Sequence, residues 1–135
     1  MDQRIRDSFA RQSMMATFGA RIDEISEGRV VLSAPILDTA LQQQGAAHAA
    51  LSFALGDSAA GYAALTRIPE PQDVMTAEMK INLLAPARGQ RLRAVGRVVK
   101  PGRRLTIVTA DVYAVAGEQE THVALLQGTM VPVGR

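Results

Sequence analysis

The sequence predicts an α+β fold in which one long buried helix packs against an antiparallel β-sheet. Two patterns support this prediction. Residues 46–66 form an alanine-rich apolar run, and short segments rich in alternating or β-branched apolar residues stand on both sides of it. A length of 135 residues corresponds to about one domain. We therefore expect a single domain over residues 1–135, with an N-terminal helix within residues 1–15.

The segments before the long helix predict a short helix and a β-hairpin. Residues 2–14 carry apolar side chains at helical spacing, with Met14 on the apolar side. Residues 18–24 and 29–35 favour two strands, and the segment at residues 26–28 is typical of the turn between them.

Residues 46–66 are apolar on nearly every side, so we expect the long helix to be buried on most sides. Gly56 and Gly61 are best tolerated inside such a helix where another backbone comes close. The run approaches membrane-span length, but Asp57 and the many alanines make insertion into a bilayer unfavourable. We expect a helix within a soluble protein and no membrane partner.

Four strands are predicted after the helix. Pro101 and Gly102 favour a tight turn between the second and third of them, with a positive φ at the glycine. Val95 and Val99 add apolar side chains to the outer face of the second strand, which predicts an oligomer that covers them. The predicted strands are residues 75–84, 91–99, 104–116 and 121–133.

Composition excludes several kinds of chemistry. The chain has no cysteine, which rules out disulfides, thiolate nucleophiles, zinc–thiolate sites and iron–sulfur clusters. Two histidines are too few for a site made of histidine ligands, so no metal is expected. A cysteine-free chain without an apolar leader segment is compatible with the cytoplasm, which is the location we expect.

Positive charge is concentrated in residues 79–110, which hold eight of the fifteen basic residues and no acidic one. This asymmetry suggests a polyanionic partner, either nucleic acid or a phosphate-bearing cofactor. The alternative is a solvated strand face. Few aromatic residues, a net charge of only +2 and the lack of a docking motif argue against nucleic acid.

Asp57 is the only charged residue between Leu41 and Thr66. A lone carboxylate on an apolar helix is costly to bury, and desolvation would raise its pKa and make it a candidate base or nucleophile. The alternative is that Asp57 lies on a solvated stripe of the helix.

His48 falls near the start of the predicted helix, where a cap or a loop-ordering hydrogen bond is its ordinary role. Asp57 follows nine residues later, about half a turn away, so the two side chains face opposite sides of one helix. Two chains related by a twofold axis could bring them together. The free N–H groups around His48, Ala49 and Ala50 could stabilise an oxyanion.

These residues, taken with two further segments, resemble the hotdog-fold thioesterases of the PaaI-like and hydroxybenzoyl-CoA thioesterase type. The resemblance spans about residues 18–131 and implies a hotdog fold, an antiparallel sheet wrapped around one long central helix. The matching residues are Gln42, Gly45, His48, Asp57, Ala59 and Gly61, then residues 76–82, then Pro86, Ala87 and Gly89.

The resemblance also implies roles for individual residues. Asp57 would be the general base or nucleophile, and Ala49 would donate its N–H to the thioester carbonyl. Gln42 matches a variant of the family's Asn or Gln, and Thr76 would help to hold the attacking water. His48 would order the loop beside that N–H, although Ala49 replaces the family's glycine.

The resemblance implies an acyl-CoA thioesterase that acts on phenylacetyl-type or short-to-medium acyl groups. Coenzyme A would be part of the substrate, so no cofactor is expected, and its phosphates would account for the basic cluster. The expected assembly is a dimer or a dimer of dimers with the active site at the dimer interface. The residues expected to bind the phosphates are Arg103 and Arg104, then Arg88 and Lys100.

Other functions are weighed against this one. A Ser58 nucleophile would need a histidine base, and only His122 is free, on a distant strand. Related hydratases carry a histidine five residues after the aspartate, where this chain has Tyr62. An acyl-CoA-binding protein without catalytic activity and, less favoured, a nucleic-acid-binding module remain as alternatives.

Overall fold

The computed structural model describes residues 1–134. The helices are α1 (Asp2–Arg11), α2 (Ser13–Phe18) and α3 (Ala49–Leu65), and a single 3-10 turn lies at Asp38–Ala40. The strands are β1 (Arg21–Ser26), β2 (Arg29–Pro35), β3 (Asp73–Leu83), β4 (Arg91–Lys100), β5 (Thr106–Ala116) and β6 (Gln119–Val133).

The six strands form one antiparallel sheet in the order β1-β2-β4-β5-β6-β3. The chain leaves β2, crosses the sheet as α3, and returns as β3 at the opposite edge. The sheet curves around the helix, and this arrangement confirms the predicted hotdog architecture. Among residues 1–134, β3 pairs only with β6, so its other edge is unpaired there.

Burial explains why α3 is so rich in alanine. Its backbone lies directly on β4, and a Cβ at Gly96 would stand 2.2 Å from the carbonyl carbon of Ala59. The close backbone approach expected at Gly56 and Gly61 therefore occurs at Gly96 instead. Gly56 faces the side chains of Leu126 and Val112, and Gly61 has only Met130 nearby.

The N-terminal helix is interrupted, contrary to the prediction of one continuous helix. Gln12 adopts extended angles, with φ −88° and ψ 90°, and separates α1 from α2. The break rotates the second helix so that Met15 is 1% exposed, whereas Met14 is 54% exposed. Arg4 fastens α1 to the end of α3 by donating hydrogen bonds to the carbonyls of Ile68 and Gln72.

Two further expectations about β4 are wrong. The connection after β4 is a loop that runs to Leu105 rather than a tight turn. Gly102 has no positive φ. Glycine is required there for a different reason, since a Cβ at Gly102 would stand 2.3 Å from the Leu105 carbonyl oxygen. Val95 is buried within the chain beside its strand partner Val31. Of the two valines, therefore, only Val99 leaves apolar surface exposed.

The expectation for the apolar run of residues 46–66 can also be compared with the structure. Among the helices of residues 1–134, none is long and apolar enough to cross a membrane.

Candidate active site

Asp57 lies halfway along α3 and points toward β3, at the edge of the sheet. Its Oδ1 accepts a hydrogen bond of 2.7 Å from the Thr76 hydroxyl. Burial raises the pKa of Asp57 above its ordinary value, and the Thr76 hydrogen bond opposes part of that rise by stabilising the charged form. A half-buried carboxylate with a raised pKa is a stronger base than an exposed one, which suits it to accept a proton.

A pocket of about 330 Å³ opens beside Asp57. Asp57 and Thr76 line it together with residues from the α1–α2 junction. We call it the Asp57 pocket. Its lining residues are Ser8, Arg11, Gln12, Asp57, Ser58, Gly61, Tyr62, Asp73, Val74, Met75, Thr76 and Met130.

His48 is the N-cap of α3. The His48 Nδ1 accepts a hydrogen bond of 2.9 Å from the Ala50 backbone N–H. The backbone N–H of His48 donates to the Ala40 carbonyl at 2.9 Å. The Leu51 N–H donates to the His48 carbonyl. Ala49 is the first helical residue and has no intrahelical acceptor. Within residues 1–134, the Ala49 N–H donates to no acceptor, so it is the free donor at this helix end.

Gln42 orders the loop that leads to this helix end. Its Oε1 accepts hydrogen bonds from the N–H groups of Gln44 at 2.6 Å and Ala46 at 3.2 Å. Gly45 completes the loop with a φ of +87°, a conformation that favours glycine. The Gln42 Nε2 has only a long contact of 3.3 Å to Gln44 Oε1, so it can donate to another acceptor.

A second pocket, of about 400 Å³, lies at this end of α3, and we call it the Ala49 pocket. Gln42, Ala49 and Arg88 line it together with Leu83 and Leu84 at the end of β3. It shares no lining residue with the Asp57 pocket. One chain therefore holds the carboxylate and the free N–H at separate places, as the half-turn spacing in the sequence predicts.

Of the four basic residues expected to bind phosphates, Arg88 lies apart from the other three, which lie at the end of β4 and in the loop after it. Arg88 lines the Ala49 pocket, and its Nη2 donates to the Gln44 carbonyl at 3.3 Å. Arg103 lines a different pocket beside Arg67. Lys100 is exposed at the end of β4, and Arg104 is exposed within the loop that follows it.

Part of the basic cluster serves the outer face of the sheet. Arg93 forms two hydrogen bonds to the Glu120 carboxylate, at 2.7 and 3.0 Å, and covers the ring of Tyr113. This arrangement agrees with the alternative of a solvated strand face for that residue. His122 lies on the same face and pairs with Asp111 at 2.9 Å.

Ser58 is engaged elsewhere. Its hydroxyl donates to Gln12 Oε1 at 3.0 Å, and His122 is occupied with Asp111 on the outer face of the sheet. A Ser58–His122 pair is therefore absent from the described chain. Sequence reasoning missed Gln12 and Tyr62 as pocket residues, because only the tertiary structure brings the N-terminal segment to α3.

Comparison with known proteins gives a consistent result. The family model of the thioesterase superfamily matches residues 44–121. A thioesterase family protein from Silicibacter pomeroyi is 45% identical, with 98% of this chain and 97% of that chain covered and a TM-score of 0.96. A mutant of the phenylacetic acid degradation protein PaaI from Thermus thermophilus is 25% identical, covers 89% of this chain and 98% of that chain, and has a TM-score of 0.77.

The PaaI protein of E. coli, from the phenylacetic acid degradation operon, shares the fold at 20% identity. Its TM-score is 0.88, and the match covers 98% of this chain and 92% of that chain. The family match extends over more than half of the sequence and includes His48, Ala49 and Asp57. This chain belongs to the thioesterase superfamily and is a thioester hydrolase with the hotdog fold.

Proposed function

We propose that this enzyme hydrolyses an acyl-CoA thioester, with a phenylacetyl-type or short-to-medium acyl group, by water activated at Asp57. The observation that carries the proposal is the half-buried Asp57 carboxylate, oriented by Thr76 at the wall of a pocket. The similarity to two PaaI proteins, which are named for phenylacetic acid degradation, supports the choice of acyl group.

In the proposed reaction, the Asp57 carboxylate accepts a proton from water as the water oxygen attacks the thioester carbonyl carbon. The carbonyl oxygen becomes an oxyanion, which the Ala49 N–H and the Gln42 amide stabilise. The C–S bond then breaks, and the proton held by Asp57 passes to the departing coenzyme A thiolate. The products are a carboxylic acid and a free thiol.

We propose that two chains complete one site. The free edge of β3 is long, and Met75 and Leu83 near its two ends are 60% and 59% exposed. A second copy pairing antiparallel to β3 about a twofold axis would cover this edge. Met75 lines the Asp57 pocket and Leu83 lines the Ala49 pocket, so such pairing would place one chain's Asp57 pocket against its partner's Ala49 pocket.

The same assembly suggests where coenzyme A is held. Arg88 stands in the Ala49 pocket and is the first candidate for the phosphates, since guanidinium groups bind phosphate with two hydrogen bonds. Arg103, Arg104 and Lys100 are further candidates from the loop after β4. The assembly is proposed as a dimer or a dimer of dimers, and the location as cytoplasmic.

The proposal is tested by release of free thiol from a panel of acyl-CoA esters, with wild type beside Asp57→Asn. The chain itself contributes no thiol background, because it has no cysteine. We expect turnover by the wild type and a loss of about 10²–10⁴-fold in kcat for the variant. Circular dichroism and oligomer mass should be unchanged, because Asn preserves the acceptor for Thr76. Turnover retained in a folded Asp57→Asn variant would contradict the assigned base.

A further inference from the structure

Part of the lining of the Asp57 pocket is a hydrogen-bonded group of polar side chains. Gln12 Nε2 donates to the Tyr62 hydroxyl at 3.0 Å, and Gln12 Oε1 accepts from the Ser58 hydroxyl at 3.0 Å. The Tyr62 hydroxyl also lies 3.2 Å from the Ser8 hydroxyl. These four residues, which we call the polar wall, all line the pocket. They join the α1–α2 junction to α3.

Gln12 is the centre of the polar wall. It occupies the break between α1 and α2, where its extended backbone departs from both helices. Both ends of its amide are bonded to α3, and Tyr62 is only 5% exposed. The side chain is therefore held at both ends of its amide, and it lines the same pocket as Asp57 and Thr76.

We infer that the polar wall, centred on Gln12, sets the acyl specificity of the enzyme by admitting compact acyl groups and excluding long alkyl chains. This inference rests on the proposed function, in which the thioester carbonyl is placed at Asp57. Gln12 lines the same pocket. A long alkyl chain in this pocket would have to displace the α1–α2 junction or cover the amide and hydroxyl groups without offering them a hydrogen bond, and both are costly.

The first test compares kcat/KM for butyryl-, phenylacetyl- and decanoyl-CoA in the wild type, Gln12→Ala and Gln3→Ala. Gln3 lies on α1, which ends just before Gln12, and the Gln3 side chain bonds the nearby Asp7, so it is a matched control. In Gln12→Ala we expect the ratio of decanoyl- to butyryl-CoA hydrolysis to rise about tenfold. In Gln3→Ala the ratio should be unchanged. An unchanged ratio in a folded Gln12→Ala variant, or an equal loss on all three esters, would overturn the inference.

A second variant does not depend on the hydrogen bonds. Gly61 lines the same pocket, and a Cβ there would meet only Met130, at 3.7 Å. Gly61→Val therefore adds volume inside the pocket. We expect it to lower phenylacetyl-CoA hydrolysis about tenfold more than acetyl-CoA hydrolysis. Equal losses on both esters would overturn the inference, because they would place the acyl group outside this pocket, and this test stands even if Gln12→Ala fails to fold.

The two proposals fail in different ways. A wild type that hydrolyses no ester, or hydrolyses them as well after Asp57→Asn, contradicts the proposed function. A wild type that depends on Asp57 but whose acyl preference ignores both Gln12 and Gly61 contradicts only the role of the polar wall.

Discussion

Asp57 shows how one residue combines a destabilising position with a useful one. Burial on an apolar helix raises its pKa, and Thr76 supplies the hydrogen bond that lowers it again in part. Protons bind the folded state more tightly than the unfolded chain where a carboxyl pKa is raised. The free energy of unfolding therefore falls as pH rises from the pKa of Asp57 in the unfolded chain through its raised pKa in the folded state. The same shift keeps the carboxylate basic enough to accept a proton from water.

Thr76→Val should move the acid limb of the pH–activity profile to higher pH. In the proposed reaction the active form of Asp57 is the charged one, and removing the Thr76 hydrogen bond raises the pKa of Asp57 further. Valine has nearly the same shape and suits a strand, so the fold should be preserved. The measurement is kcat/KM against pH, with Thr76→Ser as the control that keeps the hydroxyl. An unshifted acid limb in Thr76→Val would show that Thr76 does not tune the base.

Ala49→Pro should remove the proposed oxyanion donor without breaking α3. Ala49 is the first helical residue, where proline is well tolerated, and His48 before it has a ψ of 142°, which proline favours in its predecessor. We expect kcat to fall about 10²–10³-fold, while the thermal unfolding midpoint stays near that of the wild type. Ala49→Gly keeps the N–H and should keep activity. If Ala49→Pro remained active, another group would have to stabilise the oxyanion.

At the scale of elements, the contact between α3 and β4 sets the distance between the helix and the sheet. The Gly96 position touches the backbone of Ala59 and Ala60, so the helix lies on the sheet with no side chain between them at that point. Small residues on α3 make this approach possible, and close packing leaves little room for change.

Two glycine substitutions should therefore have opposite effects on stability. Gly96→Ala places a Cβ against helix backbone and should lower the free energy of unfolding by about 1–3 kcal/mol. Gly61→Ala meets only Met130 at 3.7 Å and should raise it by about 0.5–1 kcal/mol, because alanine is favoured inside a helix. Urea unfolding at one fixed protein concentration measures both. A stable Gly96→Ala variant would contradict the close approach of α3 to β4.

At the scale of the whole molecule, the sheet order explains why one chain would carry two halves of the proposed active site. The crossing of α3 places Asp57 beside the start of β3, while the start of α3 lies beside the end of β3. The length of one strand separates the two pockets, and an antiparallel partner strand would reverse that separation.

Mixing two inactive variants should restore activity. Asp57→Asn and Ala49→Pro chains, unfolded and refolded together in equal amounts, would form half of their dimers from one chain of each kind. In such a dimer one site combines the intact Asp57 of one chain with the intact Ala49 of the other. We expect about a quarter of wild-type activity. Each variant refolded alone is the control, and a mixture no more active than its components would contradict a site shared between chains.

The sequence by itself determined the type and order of the elements and pointed to the candidate catalytic residues. The alternating strands, the apolar run of α3 and the isolated Asp57 are local patterns, and local patterns follow from periodicity and burial. The spacing of His48 and Asp57 likewise predicted that one chain would keep them apart. The structure bears this out, because the two residues lie at different ends of β3.

Only the tertiary structure decided which groups are free and which are engaged. The Ala50 and His48 N–H groups are used and the Ala49 N–H is not, which depends on the position of Ala40 and on the His48 rotamer. Gln12 reaches the Asp57 pocket although it is 45 residues away in sequence, because α1 and α2 fold back onto α3. Hydrogen-bond partners and pocket walls arise from contacts between distant segments, and no local pattern in the sequence records them.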